Sequence, residues 1–298
     1  MALEARGAAP SARRQQLAAD AALLFVTAIW GATFVMVQGA VSSYPVFSFL
    51  ALRFALATLV LMPFFLRLDR PSVLERVRDA WLPGILVGLT LFAGYAFQTF
   101  GLRYTTPAKA GFITGLAVVM VPLGQALFLR RAPGRGPVLG VALATVGLGL
   151  LSLDADLSIS LGDVLVFCCA IAFAAHILLV GRYAPTWPPV RLALVQIATV
   201  AVLSGGIALL VDRPLAWPPG NVWFAAAFTG LLATSLAFFL QSRAQQATSP
   251  THTALIFAAE PVFAGIFSFL LIGEVLGPRQ IVGCALIVAG MLAAELLR

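Results

Sequence analysis

Three side chains that can carry charge stand inside long apolar stretches of the sequence: Arg53, His176 and Glu260. Lys109 and Glu295 lie near the ends of such stretches. A charged group at the centre of a bilayer costs about 2.5–3.5 kcal/mol on insertion scales, so each one must be protonated, paired or turned toward water. Glu260 precedes Pro261, which removes a backbone hydrogen bond and frees a carbonyl. A carboxylate so placed has two uses: it binds an ammonium group while ionised, or carries a proton while neutral. Arg53 sits about eight residues into its stretch. It either runs its apolar stem back to the outer interface or turns inward. His176 reads equally as a hydrogen-bonded packing residue.

Catalytic patterns are missing. A zinc protease needs His-Glu-x-x-His, which does not occur. The rhomboid type needs Gly-x-Ser-Gly, where this chain has Val202-Leu203-Ser204-Gly205. An intramembrane aspartyl protease needs Gly-x-Gly-Asp, where it has Ser160-Leu161-Gly162-Asp163. No phosphate-binding glycine loop is present, which argues against an ATP-driven pump. Cys168, Cys169 and Cys284 lie in apolar runs without metal-ligand spacing and read as small apolar side chains. The expectation is no enzyme, no metal and no cofactor.

The surrounding sequence says what must position these residues. Of 298 residues, 61% are apolar and 10% charged, and the mean hydropathy is +0.99. Soluble domains carry about 25% charge. Apolar runs fall at 21–40, 45–66, 81–102, 108–129, 137–153, 164–181, 192–211, 221–241, 253–272 and 280–297, most of them near the roughly 20 residues of a membrane span. Polar residues 1–19 read as a disordered cytoplasmic tail, and the first run as an uncleaved helix. The net charge of +7 sits in short loops, a topology signal and not a nucleic-acid surface. With the N-terminus inside, fourteen of the nineteen basic residues fall on inner segments. Arg103, Lys109, Arg213 and Arg279 fall outside, and Arg53 falls within a span. Both termini are therefore expected in the cytoplasm, in a multi-pass protein of the inner (plasma) membrane.

The chain also matches itself at an offset of 143 residues. Asp20 pairs with Asp163, Pro45 with Pro188, Pro71 with Pro214 and Gln98 with Gln241. Thr105-Thr106-Pro107 pairs with Thr248-Ser249-Pro250. Gly134, Gly140 and Gly147 pair with Gly277, Gly283 and Gly290. Each copy holds five runs, 20–153 and 154–298. An odd number inverts the second copy, so an all-α protein of ten transmembrane helices in two inverted repeats is expected. That is a secondary-transporter architecture, with solute bound near the midplane. In this register Arg53 meets Gln196, His176 meets Thr33 and Glu260 meets Ala117, so all three ionisable positions are asymmetric between the copies.

Over residues 20–296 the sequence resembles the drug/metabolite transporter superfamily, in its EamA branch. The carrying residues are Ile29-Trp30-Gly31, Thr106-Pro107-Ala108-Lys109-Ala110-Gly111-Phe112, Ala259-Glu260-Pro261-Val262 and Gly273-Glu274-Val275-Leu276, followed by Gln280, Gly283 and Gly290. The first repeat departs from the pattern at Arg130-Arg131, where the Gly-Glu pair is missing. Within the branch the chain is most similar to YddG-type amino-acid exporters. The resemblance implies a central cavity lined by the third, fourth, eighth and ninth helices. Helical spacing puts Tyr95, Gln98 and Thr99 on one face, and Gly111, Thr114, Gly115 and Val118 on another. Thr234, Phe238, Gln241 and Gln245 share a third face, and Thr253, Phe257, Glu260 and Ala264 a fourth. The candidate cavity residues are Trp30, Tyr95, Gln98, Thr99, Thr114, His176, Phe238, Gln241, Phe257 and Glu260. The glycines read as close-packing points between helices.

The favoured function is secondary-active or facilitative transport of small metabolites, with amino-acid export by alternating access. The alternatives are a drug, nucleotide-sugar or other metabolite carrier, or a channel or non-transporting scaffold. The expected partners are a small-molecule substrate and the lipid bilayer. Single cysteines placed at 70–78 or 131–136, with Cys168, Cys169 and Cys284 replaced, should react with an impermeant thiol reagent only after the membrane is opened. Labelling of these loops in intact cells would reject the orientation.

Overall fold

The computed structural model describes residues 10–68, 73–105, 107–128, 134–152, 159–213, 216–273 and 275–297. These residues form helices and turns, with no strand among them. In chain order the helices are α1 (Pro10–Ser43), α2 (Val46–Leu68), α3 (Val73–Gly101), α4 (Pro107–Gly115), α5 (Ala117–Phe128), α6 (Arg135–Ser152) and α7 (Leu161–Tyr183). There follow α8 (Pro189–Val211), α9 (Gly220–Gly230), a π-helical turn (Leu231–Leu236), α10 (Ala237–Ala244), α11 (Pro250–Phe257), α12 (Glu260–Ile272) and α13 (Pro278–Leu296).

Seven described segments are long and apolar enough to cross a bilayer: Arg13–Thr33, Val46–Arg67, Trp81–Gly101, Lys109–Leu127, Leu161–Tyr183, Pro189–Val211 and Gly220–Ala244. Arg135–Leu150 and Pro278–Ala294 are apolar but shorter. All-helical architecture is what lipid demands, because a helix satisfies its own backbone polar groups where no water is at hand. Leu59, Phe64, Leu123, Leu210, Phe224 and Leu270 are exposed on the outer surface, as lipid contact requires. Exposed Trp81 lies near one end of the bundle, and Trp217 with Trp223 near the other, the usual positions of interfacial aromatics.

The sequence and the structure differ at the N-terminus and before α3. Helix α1 already begins at Pro10, so residues 10–19 of the expected disordered tail are helical, and residues 1–9 lie outside the described residues. Helix α3 begins at Val73, two turns ahead of its apolar run. A favourable helix carries polar residues past the hydrocarbon boundary once its first turns are nucleated in the apolar segment. Arg130 and Arg131, where the first repeat departs from the family pattern, and Glu274 of the Gly273-Glu274-Val275-Leu276 motif lie outside the described residues.

The last helices of the two copies, paired by the 143-residue register, meet across the bundle. Helices α6 and α13 lie against each other along their lengths, with glycines at the crossing. A Cβ at Gly140 would stand 2.6 Å from the Gly290 carbonyl oxygen, and one at Gly147 would stand 2.6 Å from that of Gly283. These two contacts exchange with each other under the register. The helix starts are tied in a related way. Asp163 caps α7: its backbone N–H donates to Ser160 Oγ (3.1 Å), its carboxylate accepts from the Ser160 N–H (2.8 Å), and Thr105 donates to it from the end of α3. Its counterpart Asp20 lies 3.1 Å from His252 Nε2, at the start of α11.

The glycine crossing sets a prediction. Gly147→Val forces a side chain into the Gly283 carbonyl and should cost about 1–3 kcal/mol, read as a lower midpoint of thermal unfolding in detergent. Gly39 has nothing within 4 Å of a Cβ. Gly39→Ala should therefore leave that midpoint unchanged or raise it slightly, because alanine is the better helix former.

Candidate functional site

The π-helical turn between α9 and α10 builds the first part of the site. Its wider winding leaves backbone groups for side chains to satisfy. Thr234 Oγ1 donates to the Thr229 carbonyl five residues back (3.0 Å), and Ser235 Oγ reaches the carbonyls of Gly230 (2.9 Å) and Ala57 (3.0 Å). Gly230 lets this segment close on α2, since a Cβ there would lie 2.8 Å from the Arg53 carbonyl oxygen.

Arg53 reaches into that turn and is only 3% exposed. Its Nε donates to Thr234 Oγ1 (2.8 Å), and its Nη2 donates to the Tyr95 hydroxyl and the Ala233 carbonyl, both at 3.3 Å. Trp30 Nε1 donates to the same Ala233 carbonyl (2.9 Å). The guanidinium lies 5.0 Å from the centroid of the Tyr95 ring. Of the two placements open to Arg53, the structure therefore has the inward one. The π turn supplies two neutral partners there and Tyr95 of α3 a third, which the interface does not.

Aromatic rings surround this arginine, with Phe238 at the hub. Its ring centroid is 5.8 Å from Trp30, 6.3 Å from Tyr95 and 5.7 Å from His176. Trp30 meets Phe257 edge-on at 4.8 Å, and Tyr95 meets Phe173 edge-on at 5.5 Å. Trp30, Tyr95, Phe238 and Phe257 are thus brought together as one aromatic cluster.

Glu260 stands at a break. Helix α11 ends at Phe257 and α12 starts at Glu260, so the ninth apolar run is two helices. The fourth run breaks at Leu116, between α4 and α5, and Ala117 opens α5 where Glu260 opens α12 in the repeat register. The regular spacing assumed from Thr253 to Ala264 therefore does not run through: Phe257 and Glu260 lie on different helices. The start of a helix favours an anion. The Glu260 carboxylate makes no hydrogen bond or ion pair among the described residues and is half-buried.

The remaining expected residues divide. His176 is 2% exposed and tied through Nε2 to Gln196 Oε1 (2.7 Å), and Gln196 Nε2 donates to Ser242 (3.3 Å). That chain makes His176 Nε2 the donor. Gln98 Nε2 donates to Thr114 Oγ1 (3.4 Å), which lies 3.9 Å from Cys169 Sγ. Gln241 Nε2 donates to Gln245 Oε1 (3.0 Å), while its own Oε1 is buried without a partner. Thr99 Oγ1 donates to the Tyr95 carbonyl in its own helix (2.6 Å), so its proton is already used. Arg53, Thr234 and Gln196 join these groups without having been counted among the expected cavity residues. Arg53 stood out as an intramembrane charge. Nothing in the sequence marks the π turn. A separate cavity of about 540 Å³ opens at the end of the bundle where α1 meets α2, lined among others by Tyr44, Arg103, Asp212 and Arg213.

Comparison with known proteins places this arrangement. The profile of the EamA-like transporter family matches residues 17–153 and again residues 160–294. The chain belongs to that family. An uncharacterized transporter of Archaeoglobus fulgidus is 33% identical over 294 residues, covering 99% of this chain and 90% of that protein. The threonine/homoserine exporter RhtA of Salmonella typhimurium is 31% identical over 250 residues, covering 81% of this chain and 79% of the exporter. A crystal structure with 21% identity superposes with a TM-score of 0.79 over 96% of this chain and 99% of its own, which gives the same fold. As an EamA-like protein of the drug/metabolite transporter superfamily, the chain is a multi-pass membrane transporter and not an enzyme. Its substrate is a small molecule.

The arginine cradle makes a stability prediction. Thr234→Val keeps the shape but removes the hydroxyl that serves Arg53 and Thr229. Leaving these buried groups unpaired should cost about 1–3 kcal/mol, measured as a lower unfolding midpoint in detergent. An unchanged midpoint would mean that Arg53 does not depend on the π turn.

Proposed function

We propose that the protein is a secondary carrier that exports amino acids or similar small metabolites across the inner (plasma) membrane, with both termini in the cytoplasm. Ten spans form two inverted repeats, 20–153 and 154–298, and a central cavity opens to each side in turn. The double family match, the exchanged glycine contacts and the equivalent breaks at Leu116 and Ala259 support this reading. Interrupted helices at corresponding places in two halves are the usual pointer to a transporter's binding site. The cavity is formed by Trp30, Tyr95, Gln98, Thr114, Phe238, Gln241, Phe257 and Glu260. Thr99 and His176 stand behind it, as packing for Tyr95 and Phe238. The RhtA exporter's named substrates, threonine and homoserine, favour amino acids among small solutes.

One observation carries the reading. Glu260 is an unpaired carboxylate at a helix break, beside an aromatic cluster and within a membrane-spanning bundle. Intramembrane carboxylates without a protein partner characteristically mark solute, ion or proton pathways. Apolar surface with a few fixed polar groups is the ordinary composition of a small-molecule site.

Counterflow in liposomes against the proteinogenic amino acids, with Glu260→Gln beside the native protein, tests it. The native protein should show saturable exchange of one or more amino acids. If Glu260 holds the ammonium group, Gln should weaken binding by roughly tenfold or more, the usual worth of a hydrogen bond to a charge. If Glu260 carries a proton, Gln should abolish flux driven by a pH gradient and leave exchange intact. Native exchange and native pH dependence in a well-folded Glu260→Gln protein would sink both roles.

A further inference from the structure

Glu260 accounts for one charge of an amino acid and leaves the other without a partner. We propose that Arg53 is the second anchor. It holds the anionic group of the solute while Glu260 holds the cationic one, so that the site selects dipolar solutes with uncharged side chains. This inference rests on the transport reading above and goes beyond it by assigning the carboxylate its own residue.

The bonding of Arg53 carries the argument. Its acceptors are a threonine hydroxyl, a tyrosine hydroxyl and a backbone carbonyl, all of them neutral. They orient the guanidinium and leave its charge uncompensated. A buried charge without a counter-ion is expensive, and a ligand that supplies one recovers that cost. Nε and Nη2 are occupied, whereas Nη1 makes no hydrogen bond among the described residues. The Tyr95 hydroxyl accepts from Nη2, so its own proton is free to be donated. Among the described residues Nη1 and the Tyr95 O–H therefore have nothing to donate to, and a carboxylate has two oxygens to accept them.

The second charge is also in place. Glu260 packs its backbone against Gly31, next to Trp30, and Trp30 shares the Ala233 carbonyl with Arg53, yet Arg53 and Glu260 do not pair with each other among the described residues. Their repeat counterparts are Gln196 and Ala117, so neither belongs to a framework the two halves share. Trp30, Phe238 and Phe257 lie beside the same residues and add apolar surface without a further charge. His176 faces Phe238 with its Nε2 already held by Gln196.

Equilibrium binding to the purified full-length protein in nanodiscs decides the matter. The probes are L-threonine, L-leucine and L-phenylalanine, the amines isoamylamine and phenethylamine, which lack the carboxylate of the last two, and the N-acetyl derivatives of all three. At least one amino acid should bind roughly 30-fold more tightly than its amine or its N-acetyl derivative, the scale of a lost charge-assisted contact. Arg53→Met should shrink the preference over the amine to about threefold or less and leave the preference over the N-acetyl form. Glu260→Gln should do the reverse, and Tyr95→Phe should lose about tenfold against the amine alone. If Arg53→Met does not fold, Tyr95→Phe and the native panel still decide. Equal binding of acid and amine by the native protein, or a uniform loss for every probe in Arg53→Met, would make Arg53 a staple of the π turn and overturn the proposal. Saturable counterflow of a solute without an anionic group would overturn it and leave the transport reading standing. Absence of saturable binding and flux for every solute would remove both.

Discussion

A polar group in the membrane interior must find its partner within the protein, because no water stands beside it. That single constraint explains the regular parts of this molecule and the irregular ones. Continuous helices satisfy their own backbone and turn leucine and phenylalanine to the lipid. Irregular backbone is tolerated only where other groups reach it. The π turn at Leu231–Leu236 is served by Thr234, Ser235, Trp30 and Arg53, and the breaks near Leu116 and Ala259 keep their N–H groups bonded to nearby carbonyls. Irregularity and function coincide here because a freed backbone group needs a side chain, and a side chain brought there is available to a solute.

Close packing imposes the second layer of order. Membrane helices gain little from burying apolar surface against one another, so they associate where small residues allow backbones to touch. Gly140 against Gly290 and Gly147 against Gly283 supply that for α6 and α13, while Gly31 supplies it for α1 against α12. The last contact places Trp30, one residue away, against Phe257 and the π turn. A packing glycine therefore positions an aromatic of the candidate site, and the two roles of this stretch are one arrangement.

In the proposed inverted repeat, framework residues recur and chemical residues do not. Asp20 and Asp163, glycines at crossings and breaks in the fourth and ninth runs have equivalents. Arg53, His176 and Glu260 have none, and the π turn lies in α9–α10 with a regular α3 as its equivalent. An arginine in α2 finds a cradle because only one half winds its later helix this way. The corresponding Gln196 in α8 instead bonds His176 and Ser242 and closes a neutral network. A duplicated scaffold with unequal charges suits a carrier that must hold one asymmetric solute near its centre.

By itself the sequence determined the membrane class, the all-helical architecture and the family, because hydropathy and glycine or proline spacing are local signals that lipid enforces strictly. It also picked out Glu260, Tyr95, Trp30, Phe238 and Phe257, since an intramembrane charge and aromatics on mixed faces stand out from a lipid-facing stripe. It did not determine which way Arg53 turns, that Thr99 spends its hydroxyl on its own helix, or that Phe257 and Glu260 lie on separate helices. Those outcomes belong to the tertiary structure. The direction of Arg53 is settled by Tyr95, Ala233 and Thr234, 42 to 181 residues away, and no spacing along the chain records which partner arrives.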